Sequence, residues 1–153
     1  MTTIEMLRPY VAQKVAELLG IEKVKVDPDG DIPIRAGSAV SFARLLDGPT
    51  GPLFRVFSPF LLEVKQSPKL LDKLNELNTA SPYVRFFWIQ DTVYCSTDMK
   101  ADTLEPEEIQ NAIGAVGWHA DNFDDLLKGE FGGHRMIEDE ELPKPAGKDS
   151  TYL

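Results

Sequence analysis

Ile109, Ile113, Val116, Ala120, Phe123 and Leu127 recur at intervals of 4, 3, 4, 3 and 4 residues, the period of one helix face. A helix that long must lay its stripe against a partner, either a sheet of the same chain or a second copy of it. Its start is marked by Thr103 or Glu105 as cap, Pro106 in the first turn, and Glu107 and Glu108 at the positive end of the dipole. Gly132-Gly133 ends it. Gly114 and Gly117 each cost roughly 1 kcal/mol of helix propensity relative to Ala, which points to close packing on the glycine side.

The rest of the chain supplies the sheet. Ile4, Leu7, Val11, Val15 and Leu18 predict a first helix over 4–19, with Thr2 and Glu5 at capping-box spacing and Gly20 as the stop. Pro9 either kinks that helix or marks a later start. Strand patterns follow at Lys23–Val26, at Ile32 and Ile34 beyond the turn-rich Asp27–Asp31, at Val40–Leu45 and at Leu53–Phe57. The last two flank a Gly/Pro loop and read as a hairpin. Ser67-Pro68 opens a second helix with Leu70, Leu71, Leu74 and Leu77 on its apolar face. Tyr83–Asp98 reads as a second hairpin turning at Gln90-Asp91, with Phe86 and Trp88 on one face and Phe87 and Ile89 on the other. Helix, three or four strands, helix, two strands, helix is an α+β pattern: an antiparallel sheet with helices. One domain is expected over 1–133 and a flexible acidic C-terminal tail over 134–153.

Charge is divided unevenly. Residues 1–101 hold 12 Lys/Arg and 12 Asp/Glu, whereas residues 102–153 hold 4 and 13, so the last third supplies the whole net charge of −9. That acidity is either a solvated face or a docking surface for a basic partner. A net-acidic chain lacks the basic stripe of a nucleic-acid module. The N-terminus shows no basic stretch followed by an apolar segment. No apolar run approaches the ~18 residues of a membrane span. One cysteine forms no internal disulfide. A soluble cytoplasmic protein, bound to neither membrane nor nucleic acid, is the expectation.

Chemical motifs are missing. Asp27, Asp29 and Asp31 have the spacing of a calcium loop, but its glycine and glutamate positions hold Ile32 and Ser38. Cys95 lies in an apolar strand and reads as a small buried hydrophobe. His119 and His134 fit no metal or catalytic spacing, and Asp121, Asp124 and Asp125 fit an acidic helix face. No P-loop, nucleophile elbow or dinucleotide fingerprint occurs. No catalytic residue, metal ligand or cofactor site is assigned, and the chain is expected not to be an enzyme.

Leu53-Phe54-Arg55-Val56-Phe57-Ser58-Pro59-Phe60-Leu61-Leu62 and Ser67-Pro68-Lys69-Leu70-Leu71-Asp72-Lys73-Leu74-Asn75-Glu76-Leu77-Asn78 resemble the actinobacterial branch of the YbjN and type III secretion chaperone-like superfamily. The likeness continues through Tyr83–Asp98, Leu104–Glu108 and Phe131-Gly132-Gly133, and is looser over residues 1–50. A glycine common in the family's second hairpin turn is absent at Gln90-Asp91-Thr92. The resemblance implies an α-β-β-β-α-β-β-α domain without catalysis. Secretion chaperones of this fold are small acidic dimers that hold an extended partner segment in apolar grooves. YbjN-like proteins carry labels such as sensory transduction regulator. The family has no catalytic or ligand motif to transfer. Exposed apolar surface and sheet edges can hold an extended peptide, which makes Phe54, Phe57, Phe60, Phe87 and Trp88 the candidate peptide contacts. The expected function is to bind a polypeptide client or a regulatory partner, the alternative a regulatory module sensing a small ligand. A homodimer through the last helix or a sheet edge stays open.

Overall fold

A computed structural model describes residues 2–138. Helix α1 (Ile4–Leu19) is capped by Thr3, whose hydroxyl accepts the Met6 N–H at 3.3 Å. The cap is thus one residue later than the Thr2–Glu5 pattern suggests. Pro9 lies inside the helix. It deprives the Glu5 carbonyl of a partner, a cost kept small because Glu5 is exposed to water.

Lys23–Val26 forms no strand. Val24 is buried and Val26 is 53% exposed, so the alternation seats one side chain without any neighbouring strand to pair with. The Asp27 carboxylate accepts the N–H groups of Asp29 and Asp31, both at 2.9 Å, and turns the chain into β1 (Ile32–Ala36). β2 (Ala39–Gly48) and β3 (Gly51–Leu62) form a hairpin longer than the two sequence patterns, closed by Pro49-Thr50. Pro59 is tolerated in β3 because pairing with β2 stops at Phe57, and the β5 side bulges between Pro59 and Leu61.

Ser67 caps α2 (Pro68–Ala80), accepting from the Leu70 N–H at 3.1 Å. Leu70, Leu74 and Leu77 are buried, whereas Leu71, expected on the same face, is 41% exposed. β4 (Arg85–Ile89) and β5 (Thr92–Lys100) complete an antiparallel sheet in the order β1-β2-β3-β5-β4. Their turn keeps its tight geometry without glycine, because Gln90 and Asp91 both take positive φ, 48° and 63°.

α3 (Pro106–Phe131) starts at Glu105, whose N–H donates to the Glu108 carboxylate at 2.8 Å. Its seam packs within the chain, across β3, β2 and β5. Ile109, Ile113, Val116, Ala120 and Leu127 are buried, and Phe123 lies against the same core. Gly117 meets the sheet so closely that a Cβ there would stand 3.0 Å from that of Ala36. The core therefore fills the space between one sheet face and the helices.

Residues 134–138, read from sequence as tail, are tied to the domain. His134 and Leu62 exchange both backbone hydrogen bonds, at 2.8 and 3.0 Å. Arg135 is 5% exposed and donates to Asp125 at 2.9 Å, and Lys128 donates to Glu138 at 3.0 Å. The remainder of the expected tail, 139–153, lies outside the described residues. No helix among the described residues is long and apolar enough to cross a membrane.

Candidate functional site

Strand parity sends alternate side chains to opposite faces. Ala43, Phe54, Val56, Phe60, Val93, Cys95 and Phe86 enter the core. Their neighbours face the other way, where no helix lies among the described residues, and cross-strand register arranges them in rows. One row runs Pro33, Phe42, Phe57, Ser96, Arg85. On one side of it stand Arg35 and Val40 and, across the bulge, Pro59, Tyr94 and Phe87. On its other side runs Asp31, Arg44, Arg55, Asp98.

Two stacked ring pairs dominate this face. Phe42 and Phe57 have centroids 5.4 Å apart, and Phe87 and Tyr94 have centroids 5.2 Å apart with planes at 7°. The Arg44 guanidinium lies 4.6 Å from the Phe57 centroid and that of Arg85 lies 5.0 Å from Phe87, arrangements that favour a cation on a ring face. Arg44 also grips Asp31 with two bonds, 2.8 and 2.7 Å, and Arg55 grips Asp98 at 2.7 and 2.9 Å. The Arg55 hydrogen bonds hold the Asp98 carboxyl below its ordinary range. All four rings remain partly exposed, so the band is rigid, amphipathic and open.

The candidate contacts divide between the two faces. Phe57 and Phe87 belong to the open band. Phe54 and Phe60, at 0% and 1% exposure, are core residues and offer a partner nothing. Trp88 also turns toward the core, donating its indole N–H to the Val64 carbonyl at 2.7 Å. Phe42, Tyr94, Arg44 and Arg85 escaped sequence reasoning. Phe42 alternates with Ser41 and Ala43, which was a usable signal, but its pairing with Phe57 depends on register between strands.

Other hollows open elsewhere, one of about 600 Å³ lined by Tyr83, Asp98, Met99, Glu108, Asn111 and Ala115. An apolar cleft of about 260 Å³ opens between α1 and the β1–β2 pair, walled by Pro9, Val11, Ala12, Val26, Ile32 and Leu45. β4 begins opposite Ser96, so β5 from Thr97 to Lys100 has a strand on its β3 side only. The Cys95 thiol is buried, and burial pushes its pKa up, away from nucleophilic use. His119 packs against Phe86 and Phe123, and His134 lies 3.3 Å from the Glu63 carboxylate. The Asp27, Asp29 and Asp31 carboxylates cluster, yet Asp31 is held by Arg44 and Asp27 by backbone N–H groups.

A family model described as "T3SS (YopN, CesT) and YbjN peptide-binding chaperone 1" matches residues 5–139. The chain belongs to this family. Membership in the peptide-binding chaperones covers every element above, including the His134–Glu138 segment. Solved structures share the fold. The ExsC–ExsE complex superposes with a TM-score of 0.63 at 14% identity, covering 83% of this chain and 97% of that one. The Yersinia pestis type III secretion chaperone SycH, solved with a stable fragment of YscM2, gives 0.56 at 14%, covering 75% and 98%. The HopA1–SchA chaperone–effector complex gives 0.58 at 8%, covering 82% and 99%. No curated protein sequence matches the chain.

Proposed function

We propose that this member of the peptide-binding chaperones is a non-catalytic protein that holds an extended segment of a partner polypeptide on the open face of its sheet. The observation that carries the reading is the band of Phe42, Phe57, Tyr94 and Phe87, partly exposed and outside the core of a chain whose family is defined by peptide binding. Preset aromatic rings supply contact area at little cost in conformational freedom. Similar solved structures are complexes of chaperones with polypeptide partners, which agrees with such use of the fold.

The test is gentle purification of tagged wild-type chain and of the F57A/F87A variant from native cells, with circular dichroism to show that both fold. A stoichiometric polypeptide recovered with wild type and lost from the variant is the expected result. Protein recovered alone, or a polypeptide that the variant retains, would overturn the assignment.

A further inference from the structure

The charges on the open face do not follow those of the whole chain. Arg35, Arg44, Arg55, Arg85 and Lys100 stand on it by strand parity against Asp31 and Asp98. The Asp27 and Asp29 carboxylates lie within 4.8 Å of that of Asp31 at the Arg44 end, so counting them leaves an excess of one positive charge on a molecule whose net charge is −9. Asp31 and Asp98 are already committed. Asp31 is 3% exposed and chelated by Arg44. Asp98 receives Arg55 in two bonds and has Arg85 at 3.6 Å.

The donors are not exhausted. Arg44 and Arg55 give Nε and Nη2 to these carboxylates, which leaves each Nη1 directed to neither acid. Arg35 Nη2 and the Ser96 hydroxyl are buried without a hydrogen-bond partner, and a buried donor left unmade is costly. Asp31 and Asp98 are paired with arginines, so a lysine-rich segment would meet only the exposed Asp29 at one edge of the face. Resting on the peptide-binding reading, we propose that the open sheet face selects polypeptide segments carrying Asp or Glu among apolar side chains. Apolar groups meet the aromatic band, and the carboxylates meet Arg35, Arg85, Lys100 and the remaining guanidinium donors.

The test uses fluorescence anisotropy of the full chain with three labelled probes: a short peptide of valine, phenylalanine and glutamate, the same peptide with lysine for each glutamate, and a single-stranded oligouridylate. The glutamate peptide should bind best and more tightly at low salt. R85E/K100E, at two exposed positions, should weaken it about tenfold. K100A alone should weaken it less, and thermal melts establish that both variants fold. Equal binding of the two peptides, or preference for lysine, overturns the acidic selectivity and leaves the peptide-binding reading standing. Binding of neither peptide, or of the oligouridylate in preference to both, overturns the two together.

Discussion

Asp124 on α3 is fully buried, and its carboxylate meets the Ser38 hydroxyl in the β1–β2 turn. The same hydroxyl lies 3.0 Å from Asp121 Oδ1, which also accepts the Ser38 N–H at 2.9 Å. A hydroxyl has one proton and cannot donate to both acids. The arrangement closes when Asp124 is protonated and donates to Ser38, which then donates to Asp121. Gly37 belongs to this contact, since at its φ of 60° a Cβ would collide with the Asp121 carboxylate. Burial pushes the Asp124 carboxyl up to about 6; the Ser38 and Asp125 hydrogen bonds oppose the shift, and the Asp125 and Asp121 charges reinforce it. The folded value lies above the ordinary 3.8, so the contribution is complete below that value and is lost as pH rises through about 6. Unfolding free energy should therefore fall between about pH 4 and 6, on the order of 3 kcal/mol, and level off above that. Asp124→Asn should flatten that slope in chemical denaturation; an unchanged slope would assign it to another group.

At the scale of elements, the sheet's β4 edge shows how a helix can protect a strand. Asn78, near the end of α2, donates to the Phe86 carbonyl at 3.0 Å and accepts the Phe86 N–H at 2.7 Å. It occupies backbone groups that would otherwise be a template for another chain. This is the last residue of the Ser67–Asn78 stretch that carried part of the family likeness, a role that its helical spacing does not reveal. Asn78→Ala should cost about 1 kcal/mol, since the contact is partly solvated. Asn78→Asp, which keeps the acceptor, should fall between. Wild-type stability of the alanine variant in urea would show that the clamp contributes nothing. Register and bulges also belong to this scale: Pro59 is accepted only because the ladder on its β2 side has ended.

For the whole molecule, one side of the sheet forms the core with the helices and the other is an aromatic, positively charged face. Cys95 lies in the middle of the first side, its thiol 3.7 Å from the Val116 carbonyl of α3. Labelling by a thiol reagent should need the sheet and α3 to separate, so its rate should rise with denaturant in step with the loss of native circular dichroism. Rapid labelling in native buffer would show that β5 and α3 open locally. The same two-sidedness explains the split among candidate contacts, because Phe54 and Phe57 are both apolar and strand-forming yet stand on opposite faces.

Periodicity alone determined the three helices, the two hairpins and the α+β class, because those are set by local side-chain spacing and by Ser, Pro and Gly at element ends. The alternation at Phe86–Ile89 likewise showed two different faces before any fold was known. Only the tertiary structure decided which face was buried, that Lys23–Val26 had no strand to pair with, and that His134–Glu138 docks beside Leu62. It alone brought Phe42 to Phe57, Tyr94 to Phe87, and Ser38 to Asp124. Those contacts join residues distant along the chain through register and helix placement, and no local pattern carries that information.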